Sequence, residues 1–95
     1  MTQKKDIGID YTEPQIRVLV EEYIIRQRGT FSFRGVCDYI LYWAMEDGHT
    51  ISAGTNICES NQLCIADCER VKVVLKKIAI EGRIEFNGDS IIFLS

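Results

Sequence analysis

Apolar residues recur at helical spacing in the first third of the chain. The stripe is formed by Ile16, Leu19, Val20, Tyr23 and Ile24. These positions follow the i, i+3, i+4, i+7 and i+8 pattern of an amphipathic helix. Thr12 followed by Gln15 has the sequence of a capping box, and Gly29 supplies a stop at the other end. A first helix is therefore predicted between Thr12 and Gly29.

Two further helices are predicted downstream. The segment from about Arg34 to Met45 is almost entirely apolar and ends near Gly48. At 100° per residue, one face of this helix would carry Val36, Cys37, Ile40, Trp43 and Ala44. The third helix has Asp67 as a candidate N-cap and Gly82 as a stop. Its buried stripe would consist of Val71, Val74, Leu75 and Ile78.

Short β-prone runs complete the predicted elements. Thr30–Phe33 is too short for a helix and is predicted as a minor strand. At the end of the chain, the runs 83–86 and 90–94 flank Asn87-Gly88. Asn-Gly between two such runs is a strong hairpin signal, because a type I′ turn needs positive φ at both central residues. A C-terminal two-stranded hairpin turning at Asn87-Gly88 is predicted.

The chain of 95 residues is predicted to form one domain. Residues 1–11 are charged and lack periodicity, so they are interpreted as a flexible arm. Residues 47–65 show no consistent period, so they are interpreted as a long irregular loop between the second and third helices.

The predicted order is helix, short strand, helix, helix, strand, tight turn, strand. This order, and above all residues 67–94, resembles the winged helix-turn-helix superfamily. Its recognition helix ends in a leucine, a basic pair, an apolar residue and a glycine before a two-stranded wing. Here Leu75-Lys76-Lys77-Ile78 and Gly82 match that pattern. The resemblance implies a mainly helical α+β fold, and winged helices serve DNA, RNA and protein partners. The tip Asn87-Gly88-Asp89 lacks the cation that wings often carry.

The resemblance implies that the third helix enters the major groove of double-stranded DNA. The side chains nearest the bases would be Arg70, Lys72 and Val73. Those near phosphates would be Lys76, Lys77 and Arg83. Between Asp67 and Arg83, five cations stand against three anions, a local balance of +2. The prediction is a small cytoplasmic regulator of transcription that binds DNA as a homodimer. The simpler alternative is an ordinary solvated face of an amphipathic helix.

Each predicted helix also carries apolar or aromatic residues away from its buried stripe. These residues are Val18 and Ile25 in the first helix, Tyr39, Tyr42 and Met45 in the second, and Val73 and Ile80 in the third. Single exposed apolar residues are ordinary, but outward pairs on three helices favour a homodimer seam or a partner surface. The alternative function is a winged-helix protein-interaction module that does not bind DNA. Short acidic accessory proteins of phages and mobile elements have this character.

The net charge and the lack of long apolar stretches argue against nucleic-acid attraction by overall charge and against a membrane-spanning protein. The chain carries 11 basic and 14 acidic side chains, a formal charge of −3, so no global positive field attracts nucleic acid. No apolar stretch approaches the ~20 residues of a membrane helix, and no apolar run follows the N-terminal charges as in a signal peptide. The expectation is a cytoplasmic protein with reduced thiols that binds neither a membrane nor a small-molecule substrate.

Cysteine and histidine content adds one further alternative. Cys58, Cys64 and Cys68 have C-x5-C-x3-C spacing, and Cys37 lies in the apolar second helix. Four thiolates are able to hold zinc or an iron–sulfur cluster, but this spacing matches no C-x2-C knuckle. The prediction is a protein without metal or cofactor, with Cys37 in the core. The lone His49 gives no conventional nucleophile–base pair, so the chain is predicted not to be an enzyme.

Overall fold

A computed structural model describes residues 4–58 and 63–94 of the chain. In chain order its elements are β1 (Lys4–Ile9), α1 (Glu13–Gln27), β2 (Thr30–Ser32), α2 (Phe33–Glu46), β3 (Thr50–Cys58), α3 (Ile65–Ile80), β4 (Ile84–Asn87) and β5 (Ser90–Phe93). The helices together with β2, β4 and β5 have the order expected from the sequence. The α+β fold class with a winged-helix layout is therefore confirmed.

A three-stranded antiparallel sheet joins β2, which lies between α1 and α2, to the two C-terminal strands β4 and β5. Its strand order is β2-β5-β4, so the last strand of the chain lies in the centre. Phe31 of β2 pairs with Ile91 of β5, and Phe86 of β4 pairs with Ile91 from the other side. The short strand between α1 and α2 is thereby attached to the C-terminal hairpin, which is the wing.

Two segments that the sequence presented as irregular contain strands, so both interpretations were wrong over those residues. β1 lies within residues 1–11, and β3 lies within residues 47–65. The two strands pair antiparallel in a separate sheet, with Ile9 opposite Thr50. Residues 59–62 of the expected loop lie outside the described residues. Local patterning missed this sheet because each strand depends on a partner distant in the chain.

Side-chain caps fix the starts of α1 and α2. The backbone N–H of Gln15 donates to Thr12 Oγ1 at 3.4 Å, and the N–H of Thr12 donates to Gln15 Oε1 at 2.8 Å. This reciprocal pair is the capping box expected from the sequence. Ser32, the last residue of β2, accepts a hydrogen bond from the N–H of Gly35 at 3.0 Å. It therefore ends the strand and caps the helix that follows.

The start of α3 differs from the prediction. The helix begins at Ile65 with Cys64 in the N-cap position, and Asp67 lies inside its first turn. Asp67 does not cap the helix because its carboxylate is buried and bonded to the end of β1. The helix is consequently longer than expected, and Ile65 belongs to it.

The wing turn is displaced by one residue from the predicted one. Asn87 pairs with Ser90, which leaves Gly88 and Asp89 as the two-residue loop. Gly88 has a φ of +60°. A type II′ hairpin turn takes glycine at this first central position. The tip of the wing therefore presents a glycine and an acidic residue.

One core unites the helices with the three-stranded sheet. Most residues of the helical stripes predicted from the sequence are buried in it, and Leu19, Tyr23, Phe86 and Phe93 pack against it partly buried. Trp43, predicted on the buried face of α2, is only half-buried and lies outside this cluster. The largest fully buried side chains are Ile16, Val20, Ile24, Val36, Ile40, Val71, Val74, Leu75, Ile78, Ile84 and Ile91. Because each helix buries only one side, its opposite side is available for contacts with other molecules.

Candidate functional site

The outward side of α3 carries a row of exposed aliphatic residues. Ile65 and Ile80, at the two ends of the helix, are 79% and 85% exposed, and Val73 between them is 44% exposed. Glu69 and Lys76 alternate with them and are also exposed. Spacings of four, four, three and four residues keep all five within an arc of about 80° at 100° per residue. We call these five residues the outer α3 stripe.

An open groove runs beside this stripe, between α3 and the wing. It has a volume of about 520 Å³ and is lined by Lys72, Lys76, Ala79, Ile80, Phe86 and Gly88. Lys72 Nζ lies 5.4 Å from the centre of the Phe33 ring and 3.5 Å from Glu69 Oε1. The floor of the groove is apolar, and its cations lie on the helix side.

Asp67 is a buried carboxylate that ties α3 to β1, with a residue exposure of 6%. Its Oδ2 accepts hydrogen bonds from the N–H of Ile9 at 2.9 Å and from the Cys64 thiol at 3.2 Å. Its Oδ1 accepts from Arg70 Nη1 at 2.8 Å. Arg70 also donates to the carbonyl oxygen of Tyr11. Arg70, predicted from the sequence to contact bases, is therefore bonded within the fold.

Two further cations predicted to contact phosphate are paired with carboxylates of α1. Lys77 Nζ lies 2.7 Å from Glu13 Oε2. Arg83 forms an ion pair with Glu21. The structure thus turns Lys77 and Arg83 toward α1 and away from the outer α3 stripe. Lys76 is not paired with a carboxylate among the side chains that the structure describes.

A third ion pair follows the same seam between α1 and the end of α3. Arg17 Nη2 donates to both oxygens of Glu81, at 2.7 and 2.8 Å. The hydrogen bond from this guanidinium lowers the pKa of the Glu81 carboxyl. The charges along this seam therefore compensate one another in pairs.

The outward residues of α1 and α2 mostly lie where the sequence places them. Val18 and Ile25 are exposed on α1, and Tyr42 and Met45 are exposed on α2. Tyr42 and Met45 border an open cleft of about 290 Å³. These pairs are shorter than the row on α3, which spans the whole helix.

Tyr39 is not a free surface residue, although the sequence suggested it for an interface. Its hydroxyl donates to Glu22 Oε2 at 3.1 Å, and its ring centre lies 5.1 Å from that of Tyr23. Partial burial, together with the Glu22 carboxylate, raises the pKa of its hydroxyl. Tyr39 therefore stabilises the contact between α1 and α2.

Cys37, Cys64 and Cys68, the cysteines whose side chains the structure describes, do not form a metal site. Cys37 is buried as predicted, and burial raises the pKa of its thiol. The Cys68 thiol lies 3.7 Å from the carbonyl oxygen of Leu63, and desolvation also raises its pKa. The side chain of Cys58 lies outside the described residues. Among the side chains that are described, no three histidine, cysteine or acidic residues are grouped as metal ligands would be.

The element order and the strand order β2-β5-β4 define an α+β domain with the winged-helix layout. Comparison of the chain with protein-family models, with curated proteins and with solved structures gives no match. Within residues 4–58 and 63–94, no helix is long and apolar enough to cross a membrane. The function is therefore inferred from the surface of the molecule.

The structure separates the residues that the sequence grouped as one DNA-contacting set. Lys72, Val73 and Lys76 lie on or beside the outer α3 stripe, together with Ile80. Ile65 belongs to the same surface but was missed, because a helix beginning at Asp67 left it outside. The signal available in the sequence was an isoleucine two residues before the expected cap.

Proposed function

We propose that this chain is a protein-interaction module and that the outer α3 stripe is its contact surface. The observation that carries the proposal is the exposure of Ile65, Val73 and Ile80 along one helix face. A helix face on which exposed aliphatic side chains alternate with charged ones combines apolar anchors with polar groups, as protein–protein contact surfaces do. Helix faces of this type bind partners through aliphatic anchors at helical spacing.

The charges around the stripe support a protein partner over a polyanion. Arg70, Lys77 and Arg83 are each paired with a carboxylate within the fold. Lys72 has Glu69 at 3.5 Å. The wing tip adds Asp89, and the whole chain is acidic, with a formal charge of −3. Binding to a nucleic-acid backbone depends on cations free to replace counterions, and most of the expected ones are already engaged.

The role of the outer α3 stripe in binding is tested by replacing Ile80, one of its aliphatic residues, with an aspartate. Tagged chains with Ile80→Asp are expected to capture partner protein at a level reduced by roughly tenfold or more. Hot-spot residues contribute about 2 kcal/mol or more to binding, and an unpaired carboxylate adds a desolvation penalty. Capture is measured by quantitative mass spectrometry from the source cells, with a differently tagged second copy present so that self-association is detected.

Ile25→Asp supplies the matched control, because Ile25 is also an exposed helical isoleucine. The partner lost with Ile80→Asp is expected to be retained with Ile25→Asp. Circular dichroism melting curves establish that both variants are folded. Equal capture of the same proteins by both variants and the unchanged chain would contradict the proposal.

Duplex DNA is the second candidate partner, and one observation favours it. Lys72 and Lys76 both line the open groove between α3 and the wing. In helix-turn-helix docking, the recognition helix enters the major groove while cations beside it contact phosphates. The DNA hypothesis is therefore supported by two lysines beside the open groove.

Fluorescence anisotropy with a mixed-sequence duplex separates the two candidates. The interaction-module proposal expects no binding at low salt with the unchanged chain. A DNA reader is expected to bind in the micromolar range and to weaken steeply as salt rises, because phosphate contacts release counterions. Binding that Lys76→Glu abolishes would establish the DNA function. Arg34→Glu, which makes the same charge change on exposed α2, serves as the control.

A further inference from the structure

The outer α3 stripe reads as a self-complementary sequence. From the N-terminal end its residues are aliphatic, acidic, aliphatic, basic and aliphatic: Ile65, Glu69, Val73, Lys76 and Ile80. Ile65 and Ile80 have their midpoint between residues 72 and 73. Glu69 and Lys76 have the same midpoint, and Val73 lies next to it. The stripe thus has like residues at its two ends and opposite charges at equal distances from its centre.

This arrangement matches a second copy of α3 placed antiparallel across a two-fold axis. Ile65 then faces Ile80 of the second copy, and Glu69 faces Lys76 of the second copy. Because a two-fold interface repeats each contact, both ion pairs form at once. Val73 meets its own counterpart near the axis. A parallel placement brings Glu69 against Glu69 and Lys76 against Lys76, which is repulsive.

We propose that the partner of the outer α3 stripe is a second copy of this chain, bound through antiparallel α3 helices. This inference rests on the proposed function and names the partner of that same surface. α3 has 16 residues, a length of about 24 Å, over which two helices pack at about 8–10 Å between axes. One helix face is smaller than the ~800 Å² per partner of a standard interface. The expected complex is therefore a reversible dimer with a dissociation constant in the micromolar range.

Charge reversal tests the pairing of Glu69 with Lys76 on the full chain. In sedimentation velocity over a concentration series, the unchanged chain is expected to shift from one to two times 10.9 kDa. Glu69→Lys and Lys76→Glu are each expected to remain monomeric over the same series, because each places like charges opposite one another. The double variant with both reversals is expected to dimerise again, since the antiparallel arrangement restores opposite charges.

Mixing the two single variants gives the sharpest result. A chain with Glu69→Lys carries only positive charges at the two positions, and a chain with Lys76→Glu carries only negative ones. The equimolar mixture is therefore expected to form a heterodimer from two species that are monomeric alone. Glu46→Lys, at the exposed end of α2, is the matched control and is expected to dimerise like the unchanged chain.

Each outcome bears on the inference. An unchanged chain that stays monomeric up to high micromolar concentration overturns it. A dimer that persists in both single variants, or single variants that fail to combine when mixed, overturns the antiparallel pairing through α3. Failure of the dimer is distinguishable from failure of the proposed function. If the unchanged chain stays monomeric, a different protein captured in a manner that depends on Ile80 would still uphold the interaction surface.

Discussion

Replacing Asp67 with alanine is expected to lower the free energy of unfolding by roughly 1–4 kcal/mol. The carboxylate is buried and accepts hydrogen bonds from the N–H of Ile9 and from Arg70. Without it, the Ile9 N–H is left unsatisfied, which costs about 1–3 kcal/mol. The lost pair with Arg70 adds about 1 kcal/mol or less, because that guanidinium is partly exposed to water.

Urea unfolding followed by circular dichroism measures this effect. Asp38→Ala is the matched control, because Asp38 is an exposed aspartate whose nearest cation is Arg34 at 3.8 Å. The control is expected to change the free energy of unfolding by no more than about 0.5 kcal/mol. Hydrogen exchange at the Ile9 amide is expected to accelerate in Asp67→Ala, since the bond that protects it is gone. Equal midpoints for the two variants would show that Asp67 does not anchor β1.

Leu75→Ala is expected to destabilise the chain by about 2–5 kcal/mol, whereas Ile80→Ala changes stability by about 0.5 kcal/mol or less. Leu75 is fully buried on the inner side of α3, and Ile80 is 85% exposed on the outer side of the same helix. Removing a buried leucine loses transfer free energy and leaves a cavity in the core. Removing an exposed isoleucine does neither.

The two alanine variants are compared by the same urea titrations, with the slope of the transition checked for constancy. The difference between their free energies of unfolding bears on function. It distinguishes the side of α3 that stabilises the fold from the exposed side that is proposed to bind a partner. A loss of several kcal/mol in Ile80→Ala would assign that residue to the fold and remove it from the contact surface.

Local patterning predicted much of the core and the winged-helix layout. The stripe from Val71 to Ile78 is buried, and Thr12 with Gln15 forms the expected capping box. These features depend on residues three to four positions apart, so neighbouring sequence suffices to specify them. The outward positions of Val73 and Ile80 followed from the same periodicity.

Features that depend on distant residues were missed or misplaced. Aspartate is a residue type that commonly caps helices. Asp67 instead accepts a hydrogen bond from the N–H of Ile9, 58 positions away in the chain, and is buried. The pairing of β1 with β3 is equally non-local. The wing turn moved by one residue because the pairing of β5 with β2 and β4 sets the register, and Gly88 accommodates the turn at either position.

Periodicity along the chain was enough to predict most of the buried helical positions, and therefore the outward positions of Val73 and Ile80 on α3. Whether the cations between residues 67 and 83 are free to bind another molecule depends instead on the folded arrangement of the chain. Arg70, Lys77 and Arg83 look alike in the sequence, yet Asp67, Glu13 and Glu21 engage them from other parts of the fold. An ion pair requires proximity in space, which periodicity along the chain does not report.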